Sequence, residues 1–253
     1  MGGWKDRRIG GWTDGRMGGW VRRFGILLGA AVALSAYPPI RLSAQVGHDP
    51  ANSPYRDIRL GMGLVFYGGY MNGGRGAADV GITNATVFGG RYELPIGSVL
   101  RLSIGMGMAR GERYIVDPNA PAETRKSGPV PDGAVFVEAQ AQGSVTGGKT
   151  WHKLAPFVNL TGGVAYGGDE PSAEPSAYRF GTKLYYGGGA GVRWFATAHL
   201  SLAADVRVLS WRLKYPPQYY VTPAGSTPVL ALGQASDEPV RQPWMRLGLG
   251  WTF

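Results

Sequence analysis

From about residue 57 to the last residue, apolar and polar side chains alternate in eight separate segments. Residues two apart share a face of an extended strand, so each segment predicts a β-strand with one apolar and one polar side. In the first, Ile58, Leu60, Met62, Leu64 and Phe66 oppose Arg59, Gly61 and Gly63. The second, near 86–94, sets Phe88, Tyr92 and Leu94 against Gly89, Arg91 and Glu93. The third is the most regular, with Leu100, Leu102, Ile104, Met106 and Met108 against Arg101, Ser103, Gly105 and Gly107. The fourth sets Val135, Val137, Ala139 and Ala141 against Phe136, Glu138, Gln140 and Gln142. In the fifth, Val158, Leu160, Val164 and Tyr166 face away from Asn159 and Thr161. The sixth places Leu184, Tyr186, Ala190, Val192 and Trp194 opposite Tyr185, three glycines and Arg193. The seventh places Leu200, Leu202, Ala204, Val206 and Val208 opposite Ser201, Asp205 and Arg207, and its alternation blurs from Leu209 to Trp211. The eighth carries Met245, Leu247, Leu249, Trp251 and Phe253 on one face and Arg246, Gly248, Gly250 and Thr252 on the other.

The links between segments sort by length. Those at 95–98, 145–152 and 196–199 are short, whereas 69–85, 111–133, 167–181 and 212–242 are long, polar and rich in Gly, Pro and Asp. Short and long alternate, which puts the turns at one end of the strands and the loops at the other. A β-sandwich has no reason to sort its connections so. Segments of about ten residues with dyad alternation, short turns and long loops are the marks of a transmembrane barrel. The expected fold is therefore all-β: an eight-stranded antiparallel up-and-down transmembrane β-barrel over 57–253, with periplasmic turns and extracellular loops. Aromatics near the ends of the apolar face (Phe66, Tyr92, Tyr166, Trp194, Trp251, Phe253) suit interfacial girdles.

The alternation, the loop asymmetry and the terminal Phe253 resemble those of small eight-stranded bacterial outer-membrane barrels, the group that includes the outer-membrane protein A barrel domain and the opacity-type porins. The resemblance covers about 56–253 and is architectural. It implies that Met245, Leu247, Leu249, Trp251 and Phe253 form the signal read by the barrel-assembly machinery. It further implies outer-membrane lipid as a partner, and no peptidoglycan-binding domain after the closing strand.

The amino terminus fits export. Arg22 and Arg23 precede a 13-residue apolar run, Phe24 to Ala36. At ~1.5 Å per residue the run spans about 20 Å of helix, short of the ~30 Å hydrocarbon core. Pro38 and Pro39 follow, then Leu42-Ser43-Ala44 offers a small-residue cleavage site. Residues 17–44 are thus expected to be a secretory signal peptide, 1–16 an upstream extension, and 45–56 a periplasmic linker. The formal charge of +9 falls to +4 once residues 1–44 are removed, which gives no reason to expect nucleic acid. The absence of Cys excludes disulfides and thiol chemistry.

The polar face supplies the candidate site. An eight-stranded barrel is only wide enough to be filled by side chains. The inward set of Arg59, Glu93, Arg101, Glu138, Arg193, Asp205, Arg207 and Arg246 is therefore expected to form a lumen charge network, with Arg91 beside it. Arg59, Glu93, Arg101 and Arg193 belong near the turn end, and Glu138, Asp205, Arg207 and Arg246 nearer mid-barrel. One reading is a plug, whose removal at Glu138 or Arg207 raises conductance. The other is a narrow passive pore for small solutes, anions included. Gly143 to Thr150 matches the P-loop pattern, but Pro156 and a strand follow where the chemistry needs a helix, so the match reads as a turn. No metal site, cofactor or catalytic residue is expected, and His152 and His199 lie in turns. Tyr215, Tyr219 and Tyr220 are candidate contacts for an unknown extracellular ligand; loop-on-loop packing or a girdle is the alternative.

Overall fold

A computed structural model describes residues 53–58, 60–167, 178–221, 227–231 and 233–253. Its strands are β1 (Tyr55–Asp57), β2 (Gly63–Met71), β3 (Thr83–Ile96), β4 (Leu100–Val116), β5 (Lys126–Ser144), β6 (Lys149–Trp151), β7 (Leu154–Gly167), β8 (Thr182–Phe195), β9 (Leu200–Lys214) and β10 (Asp237–Thr252). Eight of them, β2, β3, β4, β5, β7, β8, β9 and β10, pair antiparallel in chain order. The last pairs with the first from Trp244↔Met71 to Thr252↔Gly63, so the sheet closes on itself and leaves no edge.

The faces follow the alternation. Along β4, Leu102, Ile104, Met106 and Met108 point outward and are exposed, as are Leu247 and Leu249 on β10. Leu184 is 79% exposed and Leu160 71%. Water would charge such a belt about 25 cal/mol per Å² of apolar surface, whereas hydrocarbon does not. From Leu100 to Met108 the outward apolar run is nine residues long, the length a tilted strand needs to cross a bilayer. Inside, glycines face the long side chains. A Cβ added at Gly189 would lie 2.5 Å from Arg207 Cβ, and one at Gly107 would lie 2.7 Å from Tyr67 Oη.

The strands run further than the alternation predicts on the loop side. The expected loops 111–133 and 212–242 begin and end as strand, because β4 continues to Val116, β5 starts at Lys126, β9 continues to Lys214 and β10 starts at Asp237. Nor does β9 lose its phase at Leu209–Trp211. Leu209, Trp211 and Leu213 are buried inside, while Arg212 and Lys214 point out. What changes is the surroundings: above the lipid belt the outside is water, so polar residues turn outward and apolar ones inward, as in a soluble sheet. At the turn end, β1 pairs with β6 from Tyr55↔Trp151 to Asp57↔Lys149. The expected linker 45–56 therefore ends in a strand. The expected signal peptide and upstream extension lie outside the described residues.

Candidate functional site

The lumen is filled in three layers. Nearest the turns, Glu93 on β3 is 2% exposed and meets three guanidiniums. Arg193 donates from Nη1 at 2.7 Å and from Nη2 at 2.8 Å, Arg91 Nε at 2.9 Å, and Arg101 Nη1 at 3.4 Å. Arg193 reaches Glu93 across the barrel, and its Nη2 also donates to Gln142 Oε1 at 3.3 Å. Arg59, placed with this group by sequence, lies outside the described residues.

The second layer centres on Glu138 of β5. It pairs with Arg207 at 2.9 Å and with Arg246 at 3.2 Å. Arg246 also holds Asp205, its register partner on β9, at 3.0 Å. Gln140 accepts from Arg246 at 3.4 Å, and Thr161 from Arg207 at 3.3 Å. Tyr67 lies between the layers, its ring 4.7 Å from the Arg246 guanidinium and 6.0 Å from that of Arg91. Buried charges persist only where paired and hydrogen-bonded. The mid-barrel cluster balances its charges, whereas the turn-side cluster shares one carboxylate among three guanidiniums. Both join residues from facing walls, so each ties the barrel across its bore.

The third layer is aromatic, and the alternation of polar and apolar positions does not single it out. Phe136 contacts Trp244 edge to face at 5.1 Å, Tyr185 at 5.8 Å and Trp211 at 6.2 Å, and Phe180 meets Trp211 at 5.9 Å. Phe136, Trp211 and Trp244 are each 1% exposed. The Arg207 guanidinium lies 4.5 Å over the Trp244 ring, so the charged and aromatic layers touch. The signal was present: Phe136 stands two residues before Glu138, Trp244 two before Arg246, and Tyr185 in phase with the inward glycines of β8.

Above this layer the core continues into the loops, and here the tyrosines change role. Tyr215 and Tyr219 are buried in the same core as Val80, Ile82, Leu213 and Leu230, and their rings stack at 6.2 Å. Tyr215 donates to Glu238 at 2.6 Å, Tyr219 to the Val116 carbonyl at 3.3 Å, and Tyr220 to the Ala235 carbonyl at 2.9 Å. Burial, then the bond to Glu238, raises the Tyr215 hydroxyl above its ordinary pKa. Tyr215 and Tyr219 thus pack loop on loop and present no surface to a ligand. Glu238 also accepts from the Ala77 amide at 2.6 Å, and Arg125 donates to the Thr227 carbonyl at 2.8 Å.

Elsewhere, residues 143–150 form a strand end, a turn and the start of β6, with no helix to receive a phosphate. His152 and His199 both sit at the turn end. Met245, Leu247, Leu249, Trp251 and Phe253 are each between 49% and 70% exposed on the outer face. An edgeless sheet with an apolar belt outside and buried ion pairs inside is built for lipid. This is a transmembrane β-barrel of the outer-membrane type.

No protein-family model matches the chain, and no curated protein does. Among solved structures it is similar to Neisserial surface protein A, at 13% identity and a TM-score of 0.45, over 76% of this chain and 97% of that one. The outer membrane protein OprG of Pseudomonas aeruginosa is 11% identical, with a TM-score of 0.49, over 80% of this chain and 99% of its own. The N-terminal β-barrel domain of OprF from the same organism is 10% identical, with a TM-score of 0.42, over 76% and 98%. At these identities the likeness is one of fold.

Proposed function

We propose that this chain is a non-enzymatic, non-conducting barrel of the bacterial outer membrane that holds its long loops outside the cell as a partner-binding surface. The observation that carries the reading is the doubly shut lumen. Ions would have to cross two cross-braced charge clusters and then a buried, packed aromatic layer. The loops support the rest: among the described residues, bonds joining Tyr215, Glu238, Ala77, Arg125 and Thr227 tie three of them together, and a surface ordered in advance pays less entropy on binding. Planar-bilayer recording tests the lumen. The native protein is expected to give no single-channel steps; regular steps would favour the narrow-pore reading instead.

The closing strand is part of the same proposal. Its outward strip from Met245 to Phe253 is the segment the barrel-assembly machinery is proposed to read. Removing Phe253 costs the sheet one closing bond, from its amide to the Met62 carbonyl at 3.0 Å. That small loss leaves the barrel stable once refolded in detergent. The same variant is expected to accumulate poorly in the outer membrane of cells, and normal accumulation would remove the assembly role.

A further inference from the structure

The charge of the lumen is unevenly shared. The mid-barrel cluster balances Arg207 and Arg246 with Glu138 and Asp205. The turn-side cluster sets Arg91, Arg101 and Arg193 against Glu93 alone among the described residues, a surplus of two positive charges. All four side chains are 10% exposed or less. Cations so removed from water call for a counter-charge.

A cavity of about 30 Å³ lies beside them, lined by Arg101, Arg193, Gln142, Ser98 and Ser144 with apolar walls such as Phe157. Arg101 spends only Nη1, in long contacts to Glu93 at 3.4 Å and the Gly61 carbonyl at 3.5 Å. A guanidinium has five N–H donors, so Nε and Nη2 have donors to give. Arg193 Nε is buried with no hydrogen-bond partner. The space accommodates about two water-sized particles. That suits a monatomic anion with one water and is too small for phosphate or sulfate. Access is from the turn end, since the aromatic layer closes the other.

We infer that this cavity binds a single halide, chloride under ordinary conditions, held by Arg101 and Arg193. The inference is independent of what the outer loops bind and of whether the lumen conducts. The test is the chloride NMR linewidth on titrating the chain, refolded in detergent, because a halide held in an asymmetric site relaxes far faster than a free one. The native barrel is expected to give broadening that saturates, is displaced by bromide and is unaffected by sulfate at equal ionic strength. Arg101→Gln is expected to weaken binding about tenfold or more, the loss of a charge-assisted donor. Ser98 is an exposed turn residue, and Ser98→Asp supplies a tethered carboxylate that takes the halide's place even if Arg101→Gln fails to fold. Arg241→Gln, outward and on the loop side, leaves the broadening unchanged. Broadening that never saturates, that Ser98→Asp leaves intact, or that Arg241→Gln removes equally would overturn the site.

Discussion

A Glu93→Gln barrel is expected to lose about 3–5 kcal/mol of stability against urea, the cost of removing one partner from a buried ion pair. Glutamine keeps the volume and one acceptor oxygen but brings an amide N–H₂ to face three guanidiniums. The loss is expected to exceed that of Glu138→Gln, because Arg246 would still hold Asp205 at 3.0 Å. Asp237→Asn is the outside control. Its partner Arg212 is 65% exposed, and such pairs contribute about 0–1 kcal/mol. Urea unfolding followed by the boiled-versus-unboiled gel shift separates these cases. Equal midpoints for Glu93→Gln and Asp237→Asn would mean that the turn-side cluster is hydrated and not buried as a unit. Removing Arg101 in the Glu93→Gln background is expected to restore part of the loss, since it lowers the uncompensated charge; neighbours in one cluster are not additive.

The lipid belt was legible because it is a one-dimensional property. Each outward residue answers to a single solvent, so alternation at period two, summed over eight strands, specified the wall and its closure. The positions of Glu93 and Arg193, or of Glu138 and Arg246, were legible only as inward-facing. Their pairing crosses the bore between strands distant in the chain, and shear decides which rungs meet. The upper barrel misread for a different reason. Above the membrane the outside solvent changes from lipid to water, so Arg212 and Lys214 turn out while Trp211 and Leu213 turn in. A pattern tuned to apolar-out residues takes that inversion for a lost phase or a loop. For Tyr215 and Tyr219 the sequence left ligand contact and loop-on-loop packing both open, and the fold buries the two rings in the loop-side core.

The aromatic layer alters what opening the lumen requires. With a charge plug alone, Glu138→Ala would be enough to admit ions. With Phe136, Tyr185, Trp211 and Trp244 packed above it, Glu138→Ala is expected to give no single-channel steps, because closely packed rings offer an ion nothing to replace its hydration. Trp244→Ala is expected to cost about 3–5 kcal/mol and to leave a void beside Phe136. It too is expected to remain silent, since Glu138, Arg207 and Arg246 still span the bore below. The two changes together join the mid-barrel to the loop side but leave the turn-side cluster across the bore, where Arg193 still reaches Glu93 at 2.7 Å. The double variant is therefore expected to stay silent, and adding Arg193→Ala to it, with folding checked by gel shift, is expected to give small, regular conductance steps in planar bilayers. Steps from either single variant or from the double variant would show that fewer than three layers close the barrel. Silence from the folded triple variant would place a further seal in the loop core above, around Tyr219 and Leu230, both nearly inaccessible. The order of these outcomes follows from the stacking of the layers along one bore, in which a path opens only when every barrier in series is removed.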